Sequence, residues 1–127
     1  MEGSLTTRDD RRGLGQRGEE LAARHLAASG YEMVARNWRC EAGEVDLVVK
    51  EGECLVFVEV RTRRGRSMGS PEESITAAKQ ARLVDLGEAY VQAHDWEGDW
   101  RIDVVAVEME RGGRLLRVDH YENAITG

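Results

Sequence analysis

Residues 43–61, GEVDLVVKEGECLVFVEVR, read as two strands joined by a tight turn, and they decide the fold. With Gly52 and Glu53 as a two-residue loop, Glu51 faces Cys54, and glycine at the first loop position suits a type II′ turn. That register sets Leu47 opposite Val58, Val45 opposite Val60 and Val49 opposite Val56, which makes one wholly apolar face. On the other face Asp46 lies opposite Glu59 and Glu44 opposite Arg61, beside Val48 and Phe57. A slip of one residue would separate the two acids and scramble the apolar face. Carboxylates placed directly opposite on paired strands repel each other. A divalent cation is the simplest compensation.

At 127 residues the chain is long enough for one domain around a single core. Its formal net charge of −6 argues against a protein that coats nucleic acid indiscriminately. The charge is unevenly placed, however. Arg8, Arg11, Arg12 and Arg17 cluster near the N-terminus, and Arg61, Arg63, Arg64 and Arg66 follow the second strand. An acidic protein can thus carry a basic lip around an acidic pocket. Cys40 and Cys54 have no CxxC spacing and read as free thiols of a reducing cytosol. The N-terminal MEGSLTTRDDRR has no apolar run like that of a signal peptide, and no segment approaches the ~20 apolar residues of a membrane span. A soluble, cytoplasmic protein without membrane contact is expected.

Residues 1–12 are expected to be a flexible segment, and residues 13–127 a single domain. A first helix is expected from about Leu14 to Ser29, stopped by Gly30. Gly15, Glu19, Ala22 and Leu26 share one stripe of it. On spacing alone Glu19 sits at the edge of the buried face and reaches water; the sharper alternative leans it toward the hairpin as a third carboxylate. YEMVARNWR, residues 31–39, reads as an edge strand in which Met33, Ala35 and Trp38 pack. After Arg61 the stretch TRRGRSMGS has no periodicity and reads as a flexible loop.

Ser70-Pro71-Glu72-Glu73 is a helix start with a capping box, followed by an interruption near Thr76 and a helix to about His94. Its stripe is Leu83, Leu86, Gly87, Tyr90 and Val91; one turn earlier the stripe meets Lys79. That lysine either snorkels to solvent or lies over the acidic pair. WRIDVVAVEM is a fourth strand and LLRVDHY a fifth, across a turn at 111–114. Asp103 reads as structural. The order helix, three strands, helix, two strands implies an α/β domain with one mixed sheet flanked by helices.

Asp46 and Glu59 on adjacent rigid strands suit magnesium, which often takes only one or two carboxylates and completes its shell with waters and phosphate oxygens. Such a cation polarises a scissile phosphate and acidifies an attacking water. The bland alternative is an ion-pair ladder of Glu44, Glu59 and Arg61 on a solvated face. Arg63, Arg64 and Arg66 are candidates for backbone phosphates, against a merely solvated basic loop. His25, His94 and His120 lack metal-ligand spacing. Trp38, Trp96 and Trp100 could stack on bases, but core or edge packing is the simpler reading.

The ordered motifs G-x-x-G-E-x-x-A (Gly15–Ala22), R-N-W-R (Arg36–Arg39), G-E-V-D-L-V (Gly43–Val48), V-F-V-E-V-R (Val56–Arg61), P-E-E-S-I-T-A-A-K-Q (Pro71–Gln80) and R-I-D-V-V-A-V (Arg101–Val107) closely resemble the YraN family of small bacterial proteins. The resemblance covers the chain from about Gly13 to Ala124. That family is similar in fold to restriction endonucleases and Holliday-junction resolvases, the PD-(D/E)xK superfamily. The resemblance implies a restriction-endonuclease-like sheet and assigns Asp46 and Glu59 as ligands of Mg²⁺ or Mn²⁺. It implies Glu19 as the first-helix acid and sets Arg61 where lysine is usual, with Lys79 and Gln80 where some members relocate a functional side chain. Val45 replaces the usual proline at little cost. Arg61 is the weightier departure, because a guanidinium stays protonated and cannot serve as a base. Cleavage therefore hangs on Lys79.

Three functions follow as expectations. The first is a metal-dependent endonuclease acting on DNA, with Glu19, Asp46, Glu59, Arg61 and Lys79 at the catalytic site and Arg63, Arg64 and Arg66 gripping the strand. The second is a nucleic-acid-binding module that keeps the fold without cutting. The third is a small interaction scaffold. A homodimer is left open.

Overall fold

A computed structural model describes residues 7–64 and 75–125, with side chains from Gly13 onward. The elements are α1 (Thr7–Ala28), β1 (Glu32–Cys40), β2 (Gly43–Glu51), β3 (Cys54–Arg64), α2 (Ala77–Ala93), β4 (Trp100–Met109) and β5 (Leu115–Ile125). The strands form one sheet in the order β1-β2-β3-β4-β5. All neighbours are antiparallel except β3 and β4, which are parallel. Parallel neighbours need a long crossover, and the connection carrying α2 supplies it. The expected α/β class, a mixed sheet between helices, is what the chain adopts.

Valine and leucine runs make the central strands apolar on both faces, so each face can take a helix. On one side Ala22, Ala23 and Leu26 of α1 pack on Leu47, Val49, Val56, Val58, Val105 and Val107. On the other, Leu83, Leu86 and Tyr90 of α2 pack on Val48, Phe57, Ile102 and Val104. Two glycines let the helices come close: a Cβ on Gly18 would run into the Thr62 side chain, and one on Gly87 into the Trp100 ring. The β2–β3 turn is as expected, with Glu51 paired to Cys54 and Gly52 at φ +59°.

Three expectations change. Helix α1 begins at Thr7, seven residues before Leu14, so residues 7–12 are helical rather than a loose lead-in; residues 1–6 lie outside the described residues. Strand β3 continues through Arg64, because Thr62, Arg63 and Arg64 pair with Val107, Glu108 and Met109 of β4. Residues 62–64 of the loop expected after Arg61 are therefore strand, and the rest of that stretch lies outside the described residues. The capping box expected at Ser70–Glu73 lies outside the described residues; past the interruption expected near Thr76, α2 runs from Ala77, with Thr76 accepting from the Lys79 N–H at 3.1 Å. Finally, Val45 packs with the α2 layer rather than beside Leu47 and Val49.

Candidate functional site

Strand β2 decides the site by breaking its own alternation. The β2–β3 ladder runs from Glu51–Cys54 to Leu47–Val58, and no pair follows it. One residue further on, Asp46 Oδ2 accepts the Val60 N–H at 2.8 Å, so a side chain replaces the ladder. On the opposite edge, β1 and β2 keep one register from Ala35–Val48 to Cys40–Gly43, but Asn37 and Asp46, which face each other, drop out of the pairing. Asn37 takes φ +51°. Leu47 faces α1, and strict alternation would send Val45 the same way; instead Val45 and Trp38 both pack with α2. The expected pairs Val45–Val60 and Glu44–Arg61 are therefore not formed. Glu44 meets Arg39 at 3.7 Å, and Arg61 meets Glu59 at 3.7 Å. Of the solvated ladder expected from Glu44, Glu59 and Arg61, the Arg61–Glu59 pair forms with both side chains largely buried, while Glu44 pairs with Arg39.

Where the strands part, a cleft of about 390 Å³ opens, lined by Leu14, Gly15 and Glu19 of α1, Asp46 of β2, and Glu59, Val60 and Thr62 of β3. Burial, then the charge of Glu59, pushes the Asp46 carboxyl up to about 7, with Glu19 and Glu44 adding to the rise. Burial also raises Glu59, while the charges of Lys79 and Arg61 and a hydrogen bond shared with Asp46 pull it back down. Two carboxyl groups hydrogen-bond to each other only when one holds a proton. Such a pair exchanges that proton readily for a hard cation. Glu19 is held from β1, with Asn37 Nδ2 donating to its Oε1 at 3.2 Å. No group of three or more His, Cys, Asp or Glu side chains converges on one point among the described residues, so a cation here would rest on two carboxylates and water.

The model of the family described as "Uncharacterised protein family UPF0102" matches residues 18–107. The chain belongs to that family. A UPF0102 protein of Roseiflexus castenholzii is 51% identical over 114 residues, 88% of this chain and 92% of its own. One of Chloroflexus aurantiacus is 50% identical over 117 residues, covering 91% and 94%. UPF0102 protein STH1475 of Symbiobacterium thermophilum is 50% identical over 105 residues, covering 82% and 89%. The matched span of UPF0102 contains Glu19, Asp46, Glu59, Arg61 and Lys79 alike.

In this UPF0102 chain the residues singled out by sequence fall into three groups. Glu19, Asp46 and Glu59 line the same cleft, Glu19 half-buried at its edge and held by Asn37. Arg61 and Lys79 both act electrostatically on Glu59. Arg63 and Arg64 lie on the extension of β3, Arg64 exposed, and Arg66 is outside the described residues. Asp103 lies apart, fully buried, accepting from Arg101 Nε at 2.9 Å, His120 Nε2 at 2.7 Å and the Asn123 N–H at 2.8 Å. The tryptophans are structural: Trp38 packs edge-on to Tyr90, and Trp100 edge-on to Phe57. The residue that sequence reading missed is Asn37. Its signal was available, since asparagine is a poor strand former set mid-strand in a packing segment.

Proposed function

We propose that this UPF0102 chain is a metal-dependent endonuclease that hydrolyses phosphodiester bonds in DNA. The observation that carries the reading is the cleft itself, in which Asp46 and Glu59 come together where their strands part. Asp46 and Glu59 would hold Mg²⁺ or Mn²⁺, and the donor chemistry fits, because both are hard oxygen donors whose mutual repulsion a cation relieves. When bound, such a cation supplies polarisation of the phosphodiester and a more acidic water. The chain's own residues supply the rest. Glu19 closes the α1 side of the cleft with a third negative charge. Lys79 and Arg61 bring positive charge to the β3 side, where charge develops on a phosphoryl group. Arg63 and Arg64 end the same strand, Arg66 comes two residues later in the sequence, and the three suit backbone phosphates rather than base edges.

A second reading keeps the fold and the binding but not the cleavage. Arg61 at the motif's lysine position favours it, since a guanidinium cannot accept a proton from water. The two separate cleanly. Asp46→Asn and Glu59→Gln should each abolish Mn²⁺-dependent cleavage of labelled linear and branched DNA while leaving the far-UV spectrum unchanged. Cleavage that survives both changes refutes the nuclease reading. DNA binding that persists in EDTA, with no product from any substrate, supports the second. No helix among the described residues is long and apolar enough to cross a membrane.

A further inference from the structure

We infer that Asn37 is the positioning residue of the cleft, setting through its backbone the face on which Asp46 emerges and through its carboxamide the place of Glu19. The inference goes beyond the proposed nuclease activity but rests on it for the use of the cleft. Three observations meet at this residue. Asn37 lies across the β1–β2 pair from Asp46, and these two residues alone leave a register otherwise unbroken from Ala35–Val48 to Cys40–Gly43. Its φ of +51° is left-handed, which asparagine tolerates better than any other residue with a Cβ except aspartate. Its Nδ2 donates to Glu19 Oε1 at 3.2 Å.

The geometry gives each part a task. A left-handed residue in a strand rotates the chain beyond it by half a pleat. On β1 the rotation puts Trp38 on the α2 side, where it packs on Tyr90 at 5.1 Å between ring centroids. On β2 the matching rotation puts Val45 on that side too, leaving Asp46 to join Leu47 on the side of α1. Without the paired break Asp46 would face α2, and Trp38 and Val45 would crowd α1. The side chain then completes the cleft. Glu19 would otherwise swing to solvent as its neighbour Glu20 does, which pairs instead with Arg36 at 2.8 Å and Arg24 at 3.1 Å. Asn37 is neutral, so it fixes Glu19 without cancelling its charge, as the arginine on either side of the motif would.

Two substitutions separate backbone from side chain. Asn37→Gly keeps the left-handed backbone and removes the amide; Asn37→Ala disfavours both. Mn²⁺ affinity of the whole chain is measured by titration calorimetry, and each variant is crystallised. Outer partners of metal ligands typically account for about 10- to 100-fold in metal affinity. N37G should weaken Mn²⁺ about tenfold, with Asp46 still facing α1 and Glu19 turned away. N37A should weaken it by up to about 100-fold, with Asp46 displaced from the cleft. Affinities within twofold of wild type, with both carboxylates in place, overturn the inference. Should the wild-type chain bind no Mn²⁺, the metal reading fails by itself, and the variant structures still decide: displaced carboxylates uphold the positioning role and unmoved ones refute it.

Discussion

Among the residues around the cleft, Lys79 and Arg61 divide the positive charge. Both act on Glu59, Lys79 through its charge and Arg61 through its charge and a contact at 3.7 Å. Their chemistry differs. Lysine is a compact ammonium on a flexible stem that can follow an attacking water, whereas arginine is a fixed planar fork. Lys79→Ala should therefore slow single-turnover cleavage on the order of 10²-fold. The same change removes a cation that competes with the metal for Glu59, so Mn²⁺ should bind no more weakly than in wild type. Arg61→Lys keeps a cation beside Glu59 and should retain most activity. Rapid-quench assays on labelled DNA, paired with Mn²⁺ titration, check both. Cleavage by K79A within twofold of wild type would remove Lys79 from the chemistry.

The two helices meet the sheet through glycines, and the consequences differ by face. Gly18 leaves room for Thr62 on β3, directly below Glu19; Gly87 leaves room for Trp100 on β4, away from the cleft. An added methyl at either position overpacks the contact, at roughly 1–3 kcal/mol. Gly18→Ala and Gly87→Ala should thus lower the urea midpoint by similar amounts. Only G18A should also weaken Mn²⁺ binding, because it levers Glu19 away from Asp46. Equal affinities in the two variants would uncouple α1 from the cleft. The same elements show what sequence could reveal. The hairpin was legible from Glu51–Cys54 to Leu47–Val58, since alternating valines and a glycine turn fix one register. Beyond Val58 it was not, because the ladder yields there to a carboxylate on the Val60 N–H and to one left-handed asparagine, neither of which leaves a period in the pattern. Helix α1 was read short because residues 7–12, TRDDRR, are wholly polar and carry no apolar stripe to mark a helix. The triad of Glu19, Asp46 and Glu59 was visible as residue types but not as a cleft, which is a property of diverging strands.

Across the whole molecule two aspartates, Asp103 fully buried and Asp46 half-buried, oppose each other in pH. Burial works to raise the Asp103 carboxyl, but hydrogen bonds from His120, Arg101 and the Asn123 N–H outweigh it and leave it lowered. A carboxyl lowered by folding stabilises above its unfolded value, and that stability is lost as pH falls through the folded one. Asp46 is the reverse. Its carboxyl rises from an ordinary 3.8 to about 7, so the folded chain holds a proton that the unfolded chain has released. Stability from that proton is full below about pH 4 and declines as pH climbs toward 7. Glu59, also raised, adds in the same direction. The metal-free protein should therefore weaken at both ends, on the acid side through Asp103 and from about pH 4 to 7 through the cleft. Urea melts in EDTA across that range read the profile. Asp46→Asn should flatten the upper limb and stabilise the metal-free chain by about 1–2 kcal/mol at pH 8, as removal of a functional strain commonly does. Asp103→Asn should leave the upper limb intact and cost about 3 kcal/mol, because Arg101 loses its buried partner. Mn²⁺ takes the deprotonated carboxylates, so in wild type it should restore the upper limb, and in D46N it should do nothing. Parallel upper limbs for wild type and D46N would show that Asp46 holds no proton near neutrality, and the cleft would then be an ordinary solvated acid pair.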